Sequence, residues 1–159
     1  MTPTLNPRSP LRLILVVEDN DMDLDFCMQA FEEHAIANPV IACRDGDEAI
    51  QFIDAHSASD DPLLPLLVLL DLRLPKVDGI EVLRHARQHP VWKQVPFIML
   101  TTSRENSDIG TAYQVGVNSY IVKPVDFVSF AKVVKHIKLY WILTNEPPFA
   151  PPSIKIRIF

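Results

Sequence analysis

Short apolar runs alternate with stretches of helical period along the chain, and this alternation strongly limits the folds open to it. We predict strands at residues 11–17, 39–43, 66–72, 95–100 and 119–122. Helical patterns follow at residues 20–34, from 45, from 80, at 107–115 and at 126–142. Strands this short and this apolar are typical of a sheet that is covered on both faces. Five β-α units in succession therefore predict an α/β fold with parallel strands and right-handed crossovers.

The length of 159 residues is typical of one domain with a short tail, and we assign residues 11–143 to that domain. Residues 1–10 contain three prolines and no apolar period, so we interpret them as a flexible leader. Residues 144–159 are a Pro-rich C-terminal arm whose end, SIKIRIF, alternates as a half-buried strand does. Two interpretations of this arm stay open, a disordered tail and a segment that reaches a second subunit.

Charge and hydropathy disfavour two classes of partner. Lys and Arg total 15 against 20 Asp and Glu, and this net charge of -5 does not suit a protein that neutralises nucleic-acid phosphates. The most apolar stretch, residues 63–70, is far shorter than the roughly 18 residues that span a bilayer. The two cysteines form no disulfide framework. We therefore expect a cytoplasmic protein that binds neither nucleic acid nor membrane.

Polar side chains follow four of the five predicted strands. Glu18 and Asp19 come after the first strand, Asp71 ends the third, and Thr101 and Lys123 follow the fourth and fifth. In an open parallel sheet, ligand sites form beyond the carboxyl ends of the strands. Each residue alone would be an ordinary turn or cap residue. Together they predict that three carboxylates, one hydroxyl and one ammonium converge on one edge.

Carboxylates so close together repel one another, and a hard divalent cation relieves that repulsion. Mg²⁺ takes oxygen ligands, so we expect the carboxylates of Glu18, Asp19 and Asp71 and the backbone carbonyl of Arg73 to hold it. Lys123 would pair with Asp71. A carboxylate in this setting is suited to attack a phosphoryl group, and Thr101 would donate a hydrogen bond to the group once attached.

The combined motif resembles the receiver domain of two-component response regulators over residues 11 to about 142. The matching segments are Glu18-Asp19, Asp71 in LLDLRLPKVDG, Thr101 in IMLTTS, and Lys123-Pro124 in SYIVKP. The resemblance implies a flavodoxin-like (βα)5 fold with strand order 2-1-3-4-5 and a cis Lys123–Pro124 peptide. The resemblance also implies a role for each site residue. Asp71 would be the phosphoacceptor, and Glu18 and Asp19 the acidic pair that binds the metal. Thr101 would be the switch hydroxyl, Tyr120 the switch aromatic and Lys123 the lysine typical of the family.

A narrower resemblance concerns the stand-alone regulators that pair with bacterial and cyanobacterial phytochromes. It rests on TTSRENSDIGTAY, on the start of the last helix and on the ending KLYWILTNEPP. It implies a red-light-sensing histidine kinase as the partner. Glu18 departs from the commonest pattern, because that position usually holds Asp, so either direct or water-mediated metal contact fits it.

The last predicted helix is apolar over much of its circumference. One stripe reads as core and consists of Phe127, Phe130, Val134, Ile137 and Trp141. Further apolar residues lie outside that stripe, and we expect them to form a homodimer interface: Val128, Val133, Leu139 and Tyr140. The alternative is that they are scattered exposed apolar residues, which are common.

These features predict a phospho-accepting signalling switch that changes protein contacts, not a turnover enzyme. One alternative is a receiver-like module that acts without phosphorylation. A Mg-dependent aspartyl phosphohydrolase would need an acid two residues after Asp71, where the chain has Arg73. A flavin carrier would need a phosphate loop after the first strand, where Glu18 and Asp19 would repel the phosphate.

Overall fold

The computed structural model of the protein describes residues 11–149. The predicted leader, residues 1–10, lies outside the described residues, and so does the alternating end of the arm from residue 150 onward. Within the described part, no helix is both long and apolar enough to cross a bilayer.

The fold is built on one sheet of five parallel strands in the order β2-β1-β3-β4-β5. The strands are β1 (Ile14–Val17), β2 (Val40–Cys43), β3 (Leu67–Leu70), β4 (Phe97–Thr101) and β5 (Ser119–Val122). The ends of β1 and β3 are in register, since Val17 pairs with Leu70. Likewise Thr101 pairs with Val122 at the ends of β4 and β5. The predicted fold class and strand order are confirmed.

A helix follows each strand, and side-chain caps mark where four of the five begin. The helices are α1 (Asp21–Glu33), α2 (Gly46–Ala55), α3 (Gly79–Gln88), α4 (Asn106–Val115) and α5 (Phe127–Ile137). Asn20, Asp45, Asp78 and Asp126 each accept a hydrogen bond from the backbone N–H three residues on. Such caps satisfy donors that the first helical turn leaves free. Because each cap follows a strand closely, the helices all start at the carboxyl edge of the sheet.

Two apolar layers enclose the sheet, and alternate residues of each strand point into one or the other. In β1, Leu15 and Val17 belong to the layer beneath α2, α3 and α4, whereas Ile14 and Val16 belong to the layer beneath α1 and α5. Full burial of such a side chain contributes about 1.5–3 kcal/mol. This double coverage explains why the strands read as continuous apolar runs and not as alternating ones.

The predicted apolar stripe of the last helix faces the layer beneath α1 and α5. Phe130, Val134 and Ile137 are buried there, and Phe127 and Trp141 pack against the same cluster while partly exposed. The α-helix is shorter than predicted, because it ends at Ile137 and passes into a π-helical turn, Lys138–Ile142. Hydrogen bonds to residues five positions back, such as Leu143 N–H to the Lys138 carbonyl at 3.0 Å, replace the α-helical pattern there.

Strand limits differ from the predicted ones at positions that matter for the site. β3 ends at Leu70, so Asp71 begins the following loop instead of closing the strand. β4 runs through Thr101, which is therefore the last strand residue and not the first residue after the strand. Hydrophobicity alone cannot locate these ends, since the apolar run continues to Leu72 in one case and stops at Leu100 in the other.

Candidate functional site

The side chains of Glu18, Asp71 and Lys123 converge at the carboxyl edge because backbone hydrogen bonds continue just beyond the strands. The N–H of Glu18 donates to the Cys43 carbonyl at 3.0 Å, and the N–H of Asp71 donates to the Val17 carbonyl at 3.0 Å. The N–H of Lys123 donates to the Thr101 carbonyl at 2.7 Å. These bonds hold each residue against the neighbouring strand, so its side chain is placed by the sheet and not by a free loop.

Lys123 lies at the centre of this edge with its ammonium among carboxylates. Its Nζ is 2.5 Å from Glu18 Oε2, 2.9 Å from Asp23 Oδ2 and 3.3 Å from Asp71 Oδ2. The Lys123 side chain is only 4% exposed. A buried ammonium is tolerable where several carboxylates surround it, and here one cation pairs with three acids.

Asp23 is a further residue of this site that the sequence did not single out. The Asn20 side chain accepts from the Asp23 N–H at 3.0 Å, and this cap sets where α1 starts. With that start, the Asp23 carboxylate reaches Lys123 from the helix. The sequence signal for Asp23 is the density of acids from Glu18 to Asp25, and this density alone does not assign a role to each acid.

Burial and charge shift the titration of this cluster. Burial raises the pKa of Glu18 to about 7, and the Asp71 charge adds to the effect, while the hydrogen bond from Lys123 opposes it. For Lys123, burial favours the neutral amine, but the surrounding acids, with Asp71 first, outweigh it and raise the pKa. Lys123 is therefore a permanent cation in a site that has an excess of acids.

Glu18, Asp19 and Asp71 each present a carboxylate oxygen, and these oxygens lie within 4.8 Å of one another. Glu18 and Asp71 are buried and Asp19 is exposed, so the trio opens to solvent on the Asp19 side. Oxygen donors with an excess of negative charge fit a hard divalent cation. Arg73 lies in the loop two residues after Asp71, and its side chain donates to Asp108 at 2.9 Å.

The predicted switch residues lie on neighbouring strands, where Thr101 of β4 pairs with Val122 and Tyr120 of β5 pairs with Met99. Thr101 is fully buried, and its Oγ1 accepts from the Ser103 N–H at 3.5 Å. The Tyr120 hydroxyl donates to the Ser103 carbonyl at 3.0 Å. Burial raises the pKa of Tyr120, so this phenol stays protonated and keeps its role as a donor. Ser103, which the sequence analysis did not single out, thus contacts both residues.

The expected cis peptide at Lys123–Pro124 is wrong for this structure. No peptide bond among residues 11–149 is cis. Trans is the form that X–Pro bonds favour by about 0.5–1 kcal/mol in the absence of other constraints.

The candidate interface residues differ in exposure. Val128, Leu139 and Tyr140 are 66%, 48% and 53% exposed, respectively. Val133 is partly buried and packs against the layer beneath α1 and α5. The first three therefore lie on the outer surface of α5 and the π-helical turn, and Val133 contributes to the core as well.

Known proteins resemble this chain over most of its length. The family model for the response regulator receiver domain matches residues 14–135. The probable methanogenesis regulatory protein FilR2 of Methanothrix harundinacea is 40% identical over 136 residues, which are 86% of this chain and 87% of FilR2. The response regulator Rcp1 of Synechocystis sp. is 34% identical over 142 residues, which are 89% of this chain and 97% of Rcp1.

Solved structures agree with these sequence matches. The phosphorylated cyanobacterial phytochrome response regulator RcpA has a TM-score of 0.80 and 34% identity, over 87% of this chain and 99% of RcpA. The Mn²⁺-bound form of Rcp1 has a TM-score of 0.77 and 35% identity, over 86% of this chain and 99% of that structure.

Proposed function

The chain belongs to the response regulator receiver domain family, and on this premise we propose that Asp71 accepts a phosphoryl group from a histidine kinase. One observation supports this assignment above the others. Asp71 stands 3.3 Å from a buried ammonium and belongs to an acidic trio that opens to solvent at the carboxyl edge of the sheet. The family pairs with histidine kinases, and the resemblance to Rcp1 makes this chain a response regulator of that type.

The reaction we propose transfers the phosphoryl group from a phosphohistidine to Asp71. A carboxylate oxygen of Asp71 attacks phosphorus, the phosphorus–nitrogen bond breaks, and the bonding electrons leave on the imidazole nitrogen, which is protonated. Lys123 offsets the negative charge on the phosphoryl oxygens, and Thr101 donates its hydroxyl to one of them. Slow attack of water on the same phosphorus would later release phosphate and restore Asp71.

The metal we propose is Mg²⁺, held by Glu18, Asp19, Asp71 and the backbone carbonyl of Arg73. When bound, a divalent cation neutralises part of the charge that gathers on the phosphoryl oxygens. Support comes from the compact set of carboxylate oxygens and from the Mn²⁺-bound form of the relative Rcp1. Glu18 is one methylene longer than the usual Asp, and its depth suits either a direct or a water-mediated contact.

Phosphorylation would then bias the packing of the last two β-α units. A phosphoryl group on Asp71 would draw the Thr101 hydroxyl toward it, and Tyr120 would adjust in the space beside Ser103. The Tyr120 hydroxyl already bonds the Ser103 carbonyl, so a displacement of Ser103 reaches Tyr120 directly. The output would be a change in protein contacts.

For the kinase we propose a phytochrome-type light sensor. The support is that RcpA is described as a cyanobacterial phytochrome response regulator and that the chain is 34% identical to it. FilR2, described as a probable methanogenesis regulator, is 40% identical, so the family resemblance alone does not single out one kinase. Phosphotransfer from purified kinases of both kinds would discriminate between them.

We also propose a homodimer through α5 and the π-helical turn, in which the exposed residues Val128, Leu139 and Tyr140 meet a second copy, with Val133 beneath them. The support is that three large apolar side chains are exposed along this one helical segment, and exposed apolar surface is what a partner covers. Val128→Lys and Tyr140→Lys should each give a monomer in light scattering. A wild-type chain that is monomeric with and without phosphorylation would contradict the dimer.

Incubation with acetyl phosphate and Mg²⁺, followed by intact mass, tests the central proposal. Wild-type protein should gain the mass of one phosphoryl group, and Asp71→Asn should gain none because an amide is not a nucleophile. The matched control is Asp25→Asn, which changes an exposed acid on α1 and should be labelled as the wild type is. Labelling of Asp71→Asn would show that another residue is the acceptor.

A further inference from the structure

A single carboxylate oxygen joins the two loops that flank the proposed phosphorylation site. Asp108 Oδ2, in the first turn of α4, accepts from Arg73 Nη2 at 2.9 Å and from Ser103 Oγ at 2.6 Å. Arg73 follows Asp71 by two residues, and Ser103 follows Thr101 by two residues. Asp108 therefore ties the loop after β3 to the loop after β4 without touching the acidic trio itself.

Ser103 carries this connection further. Its N–H lies 3.5 Å from Thr101 Oγ1, and its carbonyl accepts the Tyr120 hydroxyl at 3.0 Å. Its Oγ accepts from the Glu105 N–H at 3.3 Å, whereas the Glu105 side chain makes no cap for α4. The beginning of α4 therefore depends on Ser103, and the position of Ser103 depends on the Asp108 carboxylate.

The contact between Arg73 and Asp108 is weak enough for Arg73 to leave Asp108 for another anion. The Arg73 side chain is 71% exposed and that of Asp108 is 20% exposed, so water screens their attraction and the pair is weak. A phosphoryl group on Asp71 would bring about two negative charges and three acceptor oxygens within two residues of Arg73. Arg binds phosphate through paired N–H donors, which makes the phosphoryl group a strong competitor for its guanidinium.

We propose that Asp108 is a positioning residue that holds Arg73 on α4 and yields it to the phosphoryl group on Asp71. This inference rests on the proposed phosphorylation of Asp71. Departure of Arg73 leaves Asp108 with Ser103 as its partner, so the start of α4 and the Ser103 carbonyl become free to shift. The charge added at Asp71 thereby reaches α4 and Tyr120 by a route separate from the Thr101 hydroxyl.

Calorimetric titration with beryllofluoride, a phosphoryl analogue, in saturating Mg²⁺ tests the exchange. Asp108→Asn keeps an acceptor for Ser103 but weakens the hold on Arg73, so the analogue should bind roughly two- to fivefold more tightly. Arg73→Gln should weaken binding by a similar factor. In the Arg73→Gln background, Asp108→Asn should have no further effect, because no guanidinium remains to be released.

Four further measurements separate this role from a general effect of charge or folding. Glu105→Gln removes a charge from the same end of α4, and it should leave analogue binding nearly unchanged. Asp108→Glu should restore wild-type binding of the analogue, and the Mg²⁺ affinity should be the same in Asp108→Asn, Asp108→Glu and Glu105→Gln. Hydrogen exchange at residues 103–108 should rise in the wild type when the analogue binds, and should already be high in Asp108→Asn.

Two failures are distinguishable. If the wild type binds beryllofluoride but Asp108→Asn has the same effect with and without Arg73, Asp108 acts through charge alone and the exchange is wrong. If the wild type binds no beryllofluoride in Mg²⁺, the proposed phosphorylation of Asp71 fails, and the inference that depends on it fails too.

Discussion

Lys123 is the residue on which the balance of charge in the site depends. It is the one ammonium within bonding distance of Glu18, Asp23 and Asp71 among the residues that the structure describes. Removing one partner from a buried ionic cluster is costly, because the remaining charges stay buried and unpaired. The position of Lys123 therefore affects folding as well as any reaction at Asp71.

We expect Lys123→Ala to lower the free energy of unfolding by about 3–5 kcal/mol without metal. Saturating Mg²⁺ should recover a larger share of stability in this variant than in the wild type, since the cation replaces the lost positive charge. Thermal unfolding with and without Mg²⁺ measures both effects. Phosphotransfer should remain slow even in Mg²⁺, because Lys123 no longer offsets the charge on the phosphoryl oxygens.

The matched control for this variant is Lys132→Ala, which removes an exposed ammonium from α5 and should change stability by less than about 0.5 kcal/mol. A Lys123→Ala protein with wild-type stability and wild-type phosphotransfer would contradict the role given to this residue.

Individual site residues differed in how readily the sequence revealed them. Residues at strand ends were predictable, because a parallel sheet brings its carboxyl ends together whatever the helices do. Asp23 and Asp108 lie on helices, and their reach depends on helix phase, which is set by the Asn20 cap in one case and by Ser103 in the other. Neither contact follows from a strand pattern, so both required the structure.

Close approach between the loop after β3 and the start of α3 depends on a glycine. A Cβ on Gly79 would stand 2.2 Å from the Asp71 carbonyl oxygen and 2.9 Å from the Leu72 Cα. Backbone atoms cannot move aside as a flexible side chain does. The first residue of α3 therefore sets how near the helix comes to the loop that carries Asp71.

We expect Gly79→Ala to destabilise the fold by about 1–3 kcal/mol through overpacking and to weaken Mg²⁺ binding, because the Asp71 peptide must shift. Gly110→Ala is the matched control in α4, where a Cβ meets nothing within 4 Å. That change should stabilise the helix by up to about 1 kcal/mol and leave Mg²⁺ binding unchanged. Urea unfolding and Mg²⁺ titration of the two variants measure these effects. Equal stability and equal Mg²⁺ affinity of the two variants would show that the close approach at Gly79 does not matter.

At the opposite edge of the sheet, Arg87 connects α3 to the segments that enter β4 and β5. Its guanidinium donates to the Gly116 carbonyl at 2.8 Å, the Val95 carbonyl at 3.0 Å and Asn118 Oδ1 at 2.8 Å. It also lies over the Phe97 ring, 5.0 Å from the centroid. Hydrogen bonds from a charged donor are among the more stabilising ones.

Arg87→Ala should therefore cost about 2–3 kcal/mol of unfolding free energy. Arg84→Ala, on the same helix, removes only an exposed pair with Glu81 at 3.5 Å and should cost less than about 0.5 kcal/mol. Denaturant unfolding of both proteins provides the comparison. The sequence could not separate these two arginines, since both read as polar residues of one amphipathic helix.

The parallel α/β layering was predictable because it follows from the hydrophobic period of many residues, whereas the strand order was implied by the resemblance to receiver domains. The limits of individual elements were less predictable. The apolar run around β1 begins at Leu11, yet the strand begins at Ile14, and the Arg12 guanidinium instead bonds the carbonyls of Asp61 and Leu64. Local bonds of this kind set where an element starts, and hydrophobicity does not report them.

The two layers carry one thiol each, which allows their cooperativity to be tested. Cys27 lies in the layer beneath α1 and α5, and Cys43 lies in the layer beneath α2, α3 and α4. Burial raises the pKa of each thiol to about 12. At pH 8 this lowers the thiolate fraction by about a thousandfold relative to a free cysteine, and only the thiolate reacts.

Labelling by a thiol reagent should thus require opening of the layer that holds the cysteine. The strands supply side chains to both layers and are hydrogen-bonded into one sheet. We therefore expect the two layers to open together as one unit. Cys27→Ala leaves Cys43 as the sole reporter, and Cys43→Ala leaves Cys27. The two proteins should show the same labelling rate once each rate is corrected for the stability of that protein. Saturating Mg²⁺ should slow the labelling of both equally, since a ligand that binds only the folded state reduces global opening. Much faster labelling at Cys27 would mean that α1 and α5 detach while the other layer stays closed, and the site, which takes Asp23 from α1, would then be lost before the fold is.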